Sequence, residues 1–242
     1  MRSFEKNIKF EKNNPFTIFK IENFLDRNFY EKLRLNFPNP PNHGLTNNNN
    51  MKLSFSDPSE NYKKLLKSHT YFKELNDLVF FEKFFQFFYN SFFIKMLKAR
   101  SNNILEVLKL CRLPVPVKNL DQNFNFFKRI FYNKIKVGIQ LSYIKNDGFI
   151  LPHVDNSSKL LSLMIYFPDT DAPEEKKLGT NFYYYNKPNF KNHHIDGEEL
   201  ESFNQESKLI YKSSFDKNIL YGFVKNNYSW HSVSKVNFKN KE

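Results

Sequence analysis

Two histidines and one aspartate in the C-terminal half of the chain have the types and spacing of a metal site. His153 and Asp155 stand two residues apart in an apolar segment, and residues i and i+2 of a strand point to the same face. His231 lies in a second strand-like segment much further along the chain. Two imidazoles and one carboxylate on one face bind non-haem Fe(II) and leave positions open for dioxygen and a co-substrate. These three residues are therefore a candidate iron site, and hydrogen-bonded structural histidines are the alternative interpretation of the spacing alone.

Six short segments after position 136 are typical of β-strands and would position these residues. Apolar, β-branched and aromatic residues dominate them, and turn-forming clusters such as 145–148 separate them. The predicted strands are 137–144, 149–154, 159–167, 180–185, 217–224 and 229–236.

The first half of the chain is predicted to be mainly helical. Apolar residues recur at three- and four-residue steps over 58–100, and shorter helices are expected over 26–35 and 119–133. Asp26 is the expected N-cap of the helix over 26–35, and apolar residues alternate over 16–21 before it. Helices followed by short strands predict an α+β fold, in which a helical layer packs on a β-sandwich or jelly roll.

Composition limits the class of protein. The chain has 242 residues, of which 40% are hydrophobic and 18% are aromatic, enough for a packed core. A single cysteine, Cys111, excludes an internal disulfide and a cysteine-based zinc cluster. We expect Cys111 to be a small buried apolar residue.

The net charge and the N-terminal sequence lead to expectations about the partners and the location of the protein. A net charge of +12 suits a polyanionic partner, but the basic residues are scattered along the chain, so a bias in composition is the favoured explanation of the charge. The sequence shows neither an apolar leader nor a membrane span. We therefore expect a cytoplasmic protein with no membrane partner.

The C-terminal half resembles the Fe(II)- and 2-oxoglutarate-dependent dioxygenases, in particular their prolyl-4-hydroxylase-like branch. Residues 140–169 contain a strand tyrosine, a Gly-containing turn, a Pro-His-x-Asp motif and an apolar strand ending in tyrosine. Residues 178–185 form a Gly-led strand, and 218–236 contain an aromatic strand and turn that lead into Trp-His-x-Val. The resemblance covers about residues 137–242, whereas the first 130 residues are similar only as a helical support.

This resemblance implies a single oxygenase domain over residues 1–242. Residues 1–135 would be mainly helical support, and 136–242 would form the double-stranded β-helix, or jelly roll. The last strand of the jelly roll is expected to be missing, because the chain stops at Glu242.

The resemblance also implies the cofactors and their ligands. His153, Asp155 and His231 would bind Fe(II), and 2-oxoglutarate would chelate the metal through its 1-carboxylate and keto oxygens. Tyr143, ten residues before His153, matches the family's co-substrate tyrosine, and Tyr166 matches the tyrosine that closes the next strand. Ordinary core packing is the alternative interpretation for both tyrosines.

The 5-carboxylate of 2-oxoglutarate needs a cation. The family usually places one nine or ten residues after the distal histidine; Lys241 fits this spacing and Lys239 fits it less well. A solvated terminal lysine is the alternative interpretation of Lys241, in which case the cation comes from elsewhere in the chain.

The reaction implied by the resemblance consumes dioxygen and 2-oxoglutarate, releases succinate and CO₂, and transfers oxygen to a substrate. Related halogenases lack the carboxylate ligand, so the presence of Asp155 favours a hydroxylase. The substrate stays open between a peptidyl or free proline-like group, another small metabolite and a glycan component. The oligomeric state also stays open.

Two other functions remain as alternatives. The basic charge would suit a demethylase of alkylated nucleic acid from the same superfamily, although nucleic acid is not the favoured partner. A non-enzymatic jelly-roll binding module would use His153 and His231 as structural residues.

The sequence contains a second cluster of residue types that can bind metals, which we predict to be an exposed insertion. The cluster consists of His193, His194, Asp196 and Glu198.

Overall fold

The computed structural model describes residues 7–40, 46–48, 52–116, 131–169, 178–189, 195 and 197–236. The described residues form six helices and thirteen strands. The helices are α1 (Arg27–Leu35), α2 (Glu60–Ser68), α3 (Thr70–Val79), α4 (Glu82–Ala99), α5 (Ile104–Leu110) and α6 (Gly197–Glu206). The strands are β1 (Lys9–Lys12), β2 (Ile18–Glu22), β3 (Thr46–Asn48), β4 (Lys52–Ser56), β5 (Leu113–Pro116), β6 (Tyr132–Ile135), β7 (Gln140–Ile144), β8 (Ile150–His153), β9 (Leu161–Ile165), β10 (Thr180–Tyr184), β11 (Lys208–Lys212), β12 (Ile219–Val224) and β13 (Trp230–Val233).

Two four-stranded antiparallel sheets form the centre of the molecule. Sheet I has the strand order β1-β2-β12-β9, and sheet II has the order β11-β10-β13-β8. A smaller antiparallel sheet has the order β3-β4-β7, and β5 pairs with β6 in parallel. Within the described ranges, these strand pairings do not close a barrel.

Sheets I and II pack face to face through aromatic and aliphatic side chains. Ile18 and Phe223 of sheet I form a buried cluster with Phe182 of sheet II and with Phe16, which precedes β2. The ring centroids of Phe182 and Phe223 are 5.4 Å apart. Because side chains alternate along a strand, these residues define the inner face of each sheet.

The outer faces of both sheets carry helices. Phe19 of β2 packs against Phe92 of α4 with ring centroids 4.1 Å apart, in a cluster that also includes residues of α1, α2 and α3. Gly222 of β12 allows this packing, since a Cβ there would lie 2.4 Å from the Phe19 ring. On sheet II, Phe203 of α6 packs against Trp230. The chain is therefore a mixed α and β fold.

Most predicted elements are found. Each of the six predicted strand segments contains an observed strand, and Asp26 caps α1 by accepting hydrogen bonds from the backbone amides of Asn28 and Phe29. The helical stretch 58–100 divides into α2, α3 and α4, because His69 has an extended backbone between the first two. The alternating residues of 16–21 belong to β2, which lies between β1 and β12 in sheet I.

Some expectations fail. Cys111, the C-cap residue of α5, is exposed and not buried. The predicted helix 119–133 falls largely on residues outside the described ranges, and its last two positions belong to β6. Helix α6 and strand β11 were not predicted. No helix in the described part of the chain is both long and apolar enough to cross a membrane.

Candidate metal centre

His153 and His231 face each other across two neighbouring strands of sheet II. They are Cα partners in the antiparallel pairing of β8 with β13, and their ring centroids are 4.2 Å apart. His231 is buried and His153 is half-buried. Directly opposed residues of an antiparallel pair project to the same face, so the register itself brings the two imidazoles together.

Backbone hydrogen bonds fix which nitrogen of each ring faces the site. His153 Nδ1 lies 2.9 Å from the carbonyl oxygen of Leu151, and His231 Nδ1 lies 3.0 Å from that of Ser229. A carbonyl oxygen only accepts hydrogen bonds, so Nδ1 carries the proton in both rings. The lone pair of each neutral ring is therefore on Nε2, the arrangement found in metal-binding histidines.

Asp155 completes the group. It follows the end of β8 by two residues, and one ligand atom from each of His153, Asp155 and His231 lies within 4.8 Å of the others. The structure therefore brings together all three residues that the sequence predicted as metal ligands. Two imidazole nitrogens and a carboxylate suit a divalent transition metal, with room for further ligands.

Lys159 and Ser162 hold the carboxylate of Asp155. The Lys159 ammonium donates to Oδ1 at 2.7 Å, and the Ser162 hydroxyl donates to Oδ2. The side chain of Asp155 is 13% exposed, whereas that of Lys159 is 49% exposed. Ser162 belongs to β9 of sheet I, so one of the two donors to the carboxylate comes from the sheet opposite β8, and the other comes from the turn between β8 and β9. Neither partner was predicted from the sequence.

The protonation states suit metal binding. Burial acts to raise the pKa of Asp155, but the electrostatic influence of His231 and Lys159 and the hydrogen bonds from Lys159 and Ser162 hold that pKa well below its usual range. Burial lowers the pKa of His231 and outweighs the opposite effect of Asp155. A carboxylate anion and a neutral imidazole are the forms that bind metals.

A basic residue that the sequence reasoning missed, Lys52, lies near this group. It stands in β4 opposite Ile144, is half-buried, and exerts an electrostatic effect on both Asp155 and His231. Burial, together with the charge of Lys159, lowers its pKa. Among the residues that the structure describes, no carboxylate forms an ion pair with Lys52.

Arg100 links the helical layer to the turn that follows Asp155. This residue caps the C-terminus of α4, donates a hydrogen bond to the carbonyl oxygen of Lys159, and pairs with Glu106 of α5 at 3.0 Å. Only 7% of Arg100 is exposed. The backbone that carries Lys159 is thus held by the helices as well as by the sheets.

Tyr143 lies on the side of β7 that faces the helices. Its ring centroid is 5.5 Å from that of Phe37 and 6.2 Å from that of Phe55. Tyr143 pairs with Leu53, so strand alternation puts Lys52 on the opposite face of β4. The Tyr143 hydroxyl is buried without a hydrogen-bond partner in the described ranges, and burial raises its pKa to about 12.

Tyr166 also lies away from His153, Asp155 and His231, which together are called the metal group. It follows β9 at the end opposite Ser162, and its hydroxyl shares hydrogen bonds with Thr180 at 2.8 Å and Ser213 at 2.9 Å. These contacts are of the kind that core packing produces, and they leave the hydroxyl satisfied. The structure therefore does not bring Tyr143 or Tyr166 into contact with the three metal-binding candidates.

The remaining predicted residues fall mostly outside the described ranges. Lys239 and Lys241 lie there, as do three members of the second cluster, His193, His194 and Asp196. Glu198 is described and is an exposed residue of α6.

Comparison with known proteins adds no relative. No protein-family model, curated protein or solved structure gives a significant match to the chain.

Proposed function

We propose that the protein is an Fe(II)- and 2-oxoglutarate-dependent oxygenase that hydroxylates its substrate. The observation that carries this proposal is the convergence of His153, Asp155 and His231, whose ligand atoms lie within 4.8 Å of one another. Two imidazoles and one carboxylate leave coordination positions for a chelating keto acid and for dioxygen.

The architecture supports the same proposal. A jelly roll contains eight antiparallel strands in two packed sheets, and sheets I and II together supply two four-stranded antiparallel sheets that pack face to face. The metal group stands where β8, β13 and β9 meet at one end of this sandwich. We therefore propose a double-stranded β-helix that carries its metal at one mouth.

A bound Fe(II) ion would activate dioxygen and support the oxidative decarboxylation of 2-oxoglutarate. The chain's own residues prepare that site. The carbonyl groups of Leu151 and Ser229 aim Nε2 of each histidine into it. Ser162 orients the carboxylate of Asp155, and the charge of Lys159 helps to keep this carboxylate ionised.

Lys52 is our candidate for binding the 5-carboxylate of 2-oxoglutarate. A half-buried ammonium without a carboxylate partner is unfavourable, and an anion that bridges the metal and Lys52 would neutralise it. A dicarboxylate suits this arrangement, since one end can bind the metal while the other accepts a charge-assisted hydrogen bond.

The proposal is tested with the full chain. We expect it to bind Mn(II) or Fe(II), and to form succinate from 2-oxoglutarate only in the presence of Fe(II) and dioxygen. Asp155→Ala should weaken Mn(II) binding by more than about 100-fold, because even residues that only support a metal ligand are worth 10- to 100-fold. Electron paramagnetic resonance of Mn(II) measures the binding directly.

Asp147→Asn is the matched control, because asparagine tolerates the left-handed backbone at this position (φ 63°) and removes the charge. Asp147 lies in an exposed turn and pairs with Lys235 at 3.1 Å, away from the metal group. The Asp147 variant should bind Mn(II) and form succinate as the unmodified chain does. If the unmodified chain takes up no metal, the oxygenase proposal is wrong and a non-enzymatic binding module becomes the better interpretation.

A further inference from the structure

Lys159 stands at the solvent side of the metal group. Its ammonium lies 2.7 Å from Asp155 Oδ1, and 49% of its side chain is exposed, compared with 13% for the side chain of Asp155. The ammonium therefore lies at the point where the carboxylate meets solvent. A molecule that reaches the metal group from this side must pass close to Lys159.

The main chain of Lys159 is fixed, whereas its side chain can move. The backbone amide of Lys159 donates to the carbonyl oxygen of Asn156 at 3.0 Å, and its own carbonyl oxygen accepts a hydrogen bond from the buried Arg100. A lysine ammonium is carried on a flexible four-carbon stem. The ammonium can therefore leave Asp155 and still remain within one side-chain length of the metal group.

The charged groups that act on His231 are not balanced. They are the carboxylate of Asp155 and the two ammonium groups of Lys159 and Lys52. The two ammonium groups also act on each other, since burial and then the charge of Lys159 lower the pKa of Lys52. One carboxylate thus faces two cations at the metal group, which leaves an excess of one positive charge.

Lys159 would lose its partner when a divalent ion binds Asp155. Whichever carboxylate oxygen binds the ion, the two positive charges attract the carboxylate more strongly than one ammonium does, and they repel that ammonium. The dianion 2-oxoglutarate would balance the charge of the ion, and its 5-carboxylate would pair with Lys52. The ammonium of Lys159 is then the excess positive charge beside the metal group.

We propose that the substrate of the metal site carries a carboxylate or phosphate group, and that Lys159 binds this group when a metal ion occupies Asp155. The acid group replaces the carboxylate that Lys159 has lost and accepts a charge-assisted hydrogen bond. The neighbouring atoms of the substrate are thereby held close to the metal group. The proposal rests on the proposed oxygenase function, and it narrows the substrates that the sequence leaves open to those that carry an acid group.

Thermodynamic linkage gives this proposal a distinct signature. Metal binding releases Lys159 for the anion, so the anion should raise the affinity for the metal by the same factor as the metal raises the affinity for the anion. An anion bound to a remote surface lysine would not show this coupling. An anion that coordinates the metal directly would show the coupling without Lys159.

The test uses the full chain with saturating 2-oxoglutarate in the absence of dioxygen. Propionate and ethyl phosphate are the acidic probes, and propionamide is the comparison that has the shape of propionate without its charge. We expect at least one acidic probe to raise the Mn(II) affinity about three- to tenfold, as measured by electron paramagnetic resonance, because the anion neutralises a half-exposed cation that opposes the metal. Propionamide should have no effect. The probe with the larger effect identifies the preferred acid group.

Variants locate the anion. Lys159→Met should have the same Mn(II) affinity with and without the probe, whereas Lys159→Arg should keep the coupling, because a guanidinium also binds acid groups. Lys63→Met is the matched control and should keep the full effect, since Lys63 forms a similar exposed pair with Glu60 at 2.9 Å on α2. A coupling that persists in Lys159→Met would assign the anion to the metal itself and overturn the role of Lys159.

The outcomes also separate this proposal from the proposed function. If the unmodified chain binds Mn(II) and 2-oxoglutarate but neither acidic probe changes the Mn(II) affinity, the acidic substrate is wrong and the oxygenase function is unaffected. If the unmodified chain binds no Mn(II), the oxygenase function and the acidic substrate are both wrong.

Discussion

The hydroxyl of Ser162 donates a hydrogen bond to the carboxylate of Asp155, and this bond joins the two sheets at the metal group. Ser162 is in β9 of sheet I, whereas Asp155 follows the end of β8 in sheet II. Asp155 lies past the end of β8 and outside the hydrogen-bonded part of this strand, so its position depends on the partners of its side chain. The geometry of the candidate metal site therefore depends on how the two sheets pack.

Ser162→Ala tests this dependence. Loss of the hydroxyl leaves one carboxylate oxygen of Asp155 without its donor, and supporting residues of this kind are typically worth 10- to 100-fold in metal affinity. We expect Mn(II) to bind about tenfold to 100-fold more weakly, as measured by electron paramagnetic resonance.

Ser158→Ala is the control for that substitution. The Ser158 hydroxyl bonds to Asn156 within the exposed turn after Asp155 and does not contact the carboxylate. Its Mn(II) affinity should equal that of the unmodified chain. Equal affinities for the Ser162 and Ser158 variants would contradict a supporting role for Ser162.

Lys159 should have the opposite effect on metal affinity. Its ammonium lies 2.7 Å from Asp155 Oδ1, where it repels an incoming divalent cation and competes for the carboxylate. We expect Lys159→Met to bind Mn(II) about three- to tenfold more tightly than the unmodified chain. This difference in affinity should become smaller as the salt concentration rises, because half of the Lys159 side chain is exposed to solvent and its charge is screened. Isothermal titration at two salt concentrations measures both effects.

Lys63→Met provides the comparison for Lys159. Lys63 forms a similar exposed pair with Glu60 at 2.9 Å on α2. Its replacement should leave Mn(II) affinity unchanged. A weaker affinity in Lys159→Met would show that the ammonium supports the carboxylate more than it opposes the metal.

The grouping of the three candidate metal ligands was predictable because its signal is local. A His-x-Asp pair in a strand places both side chains on one face, and a second histidine in a neighbouring strand needs only the correct register. The pairing of His153 with His231 provides that register. Asp26 was predictable for the same reason, since a helix N-cap depends on adjacent residues.

The residues around the ligands were not predictable because they arrive through long-range pairing. Lys52 reaches the site only through the pairing of β4 with β7, and Ser162 reaches it only through the packing of the two sheets. The face on which Tyr143 lies could not be inferred from its spacing to His153, since β7 and β8 belong to different sheets. Helix α6 did carry a signal, the acidic residues Glu198 and Glu199 in its first turn.

A buried lysine predicts how stability depends on pH. Lys225 follows β12, is 0% exposed, and donates a hydrogen bond from its ammonium to Asn227. Burial, with a contribution from the charge of Arg100, lowers the pKa of Lys225 to about 8. The unfolded chain therefore binds this proton more tightly, so the free energy of unfolding should rise with pH above 8, by up to about 3 kcal/mol at pH 10.5.

Lys225→Met isolates this effect. Burial raises the pKa values of Tyr62 and Tyr211, which opposes the rise above pH 10 because the unfolded chain loses its phenolic protons first. The tyrosines are common to both proteins, so the difference between their urea unfolding curves at pH 7.5 and pH 9.5 reports Lys225 alone. Parallel pH dependence in the two proteins would refute the assignment.

The identity of the 2-oxoglutarate cation separates the sequence-based expectation from the structure-based one. If Lys52 binds the 5-carboxylate, Lys52→Met should weaken 2-oxoglutarate binding to the Mn(II)-loaded chain at least about tenfold, since a charge-assisted hydrogen bond is worth about 1.5–3 kcal/mol. Mn(II) affinity without 2-oxoglutarate should not fall, because Lys52 opposes a cation at the site. Titration of 2-oxoglutarate followed by Mn(II) resonance measures both affinities.

Lys241→Ala is the competing variant, and the two substitutions make opposite predictions. The sequence spacing favours Lys241, whereas the half-buried ammonium that acts on Asp155 and His231 is that of Lys52. A loss confined to Lys241→Ala would refute the role of Lys52 and support the position expected from the spacing. A loss confined to Lys52→Met would assign the cation to β4, a strand that precedes all those matched by the family resemblance. Such a result is physically reasonable, because the carboxylate requires a cation close to it in the folded structure, whatever the position of that cation in the sequence.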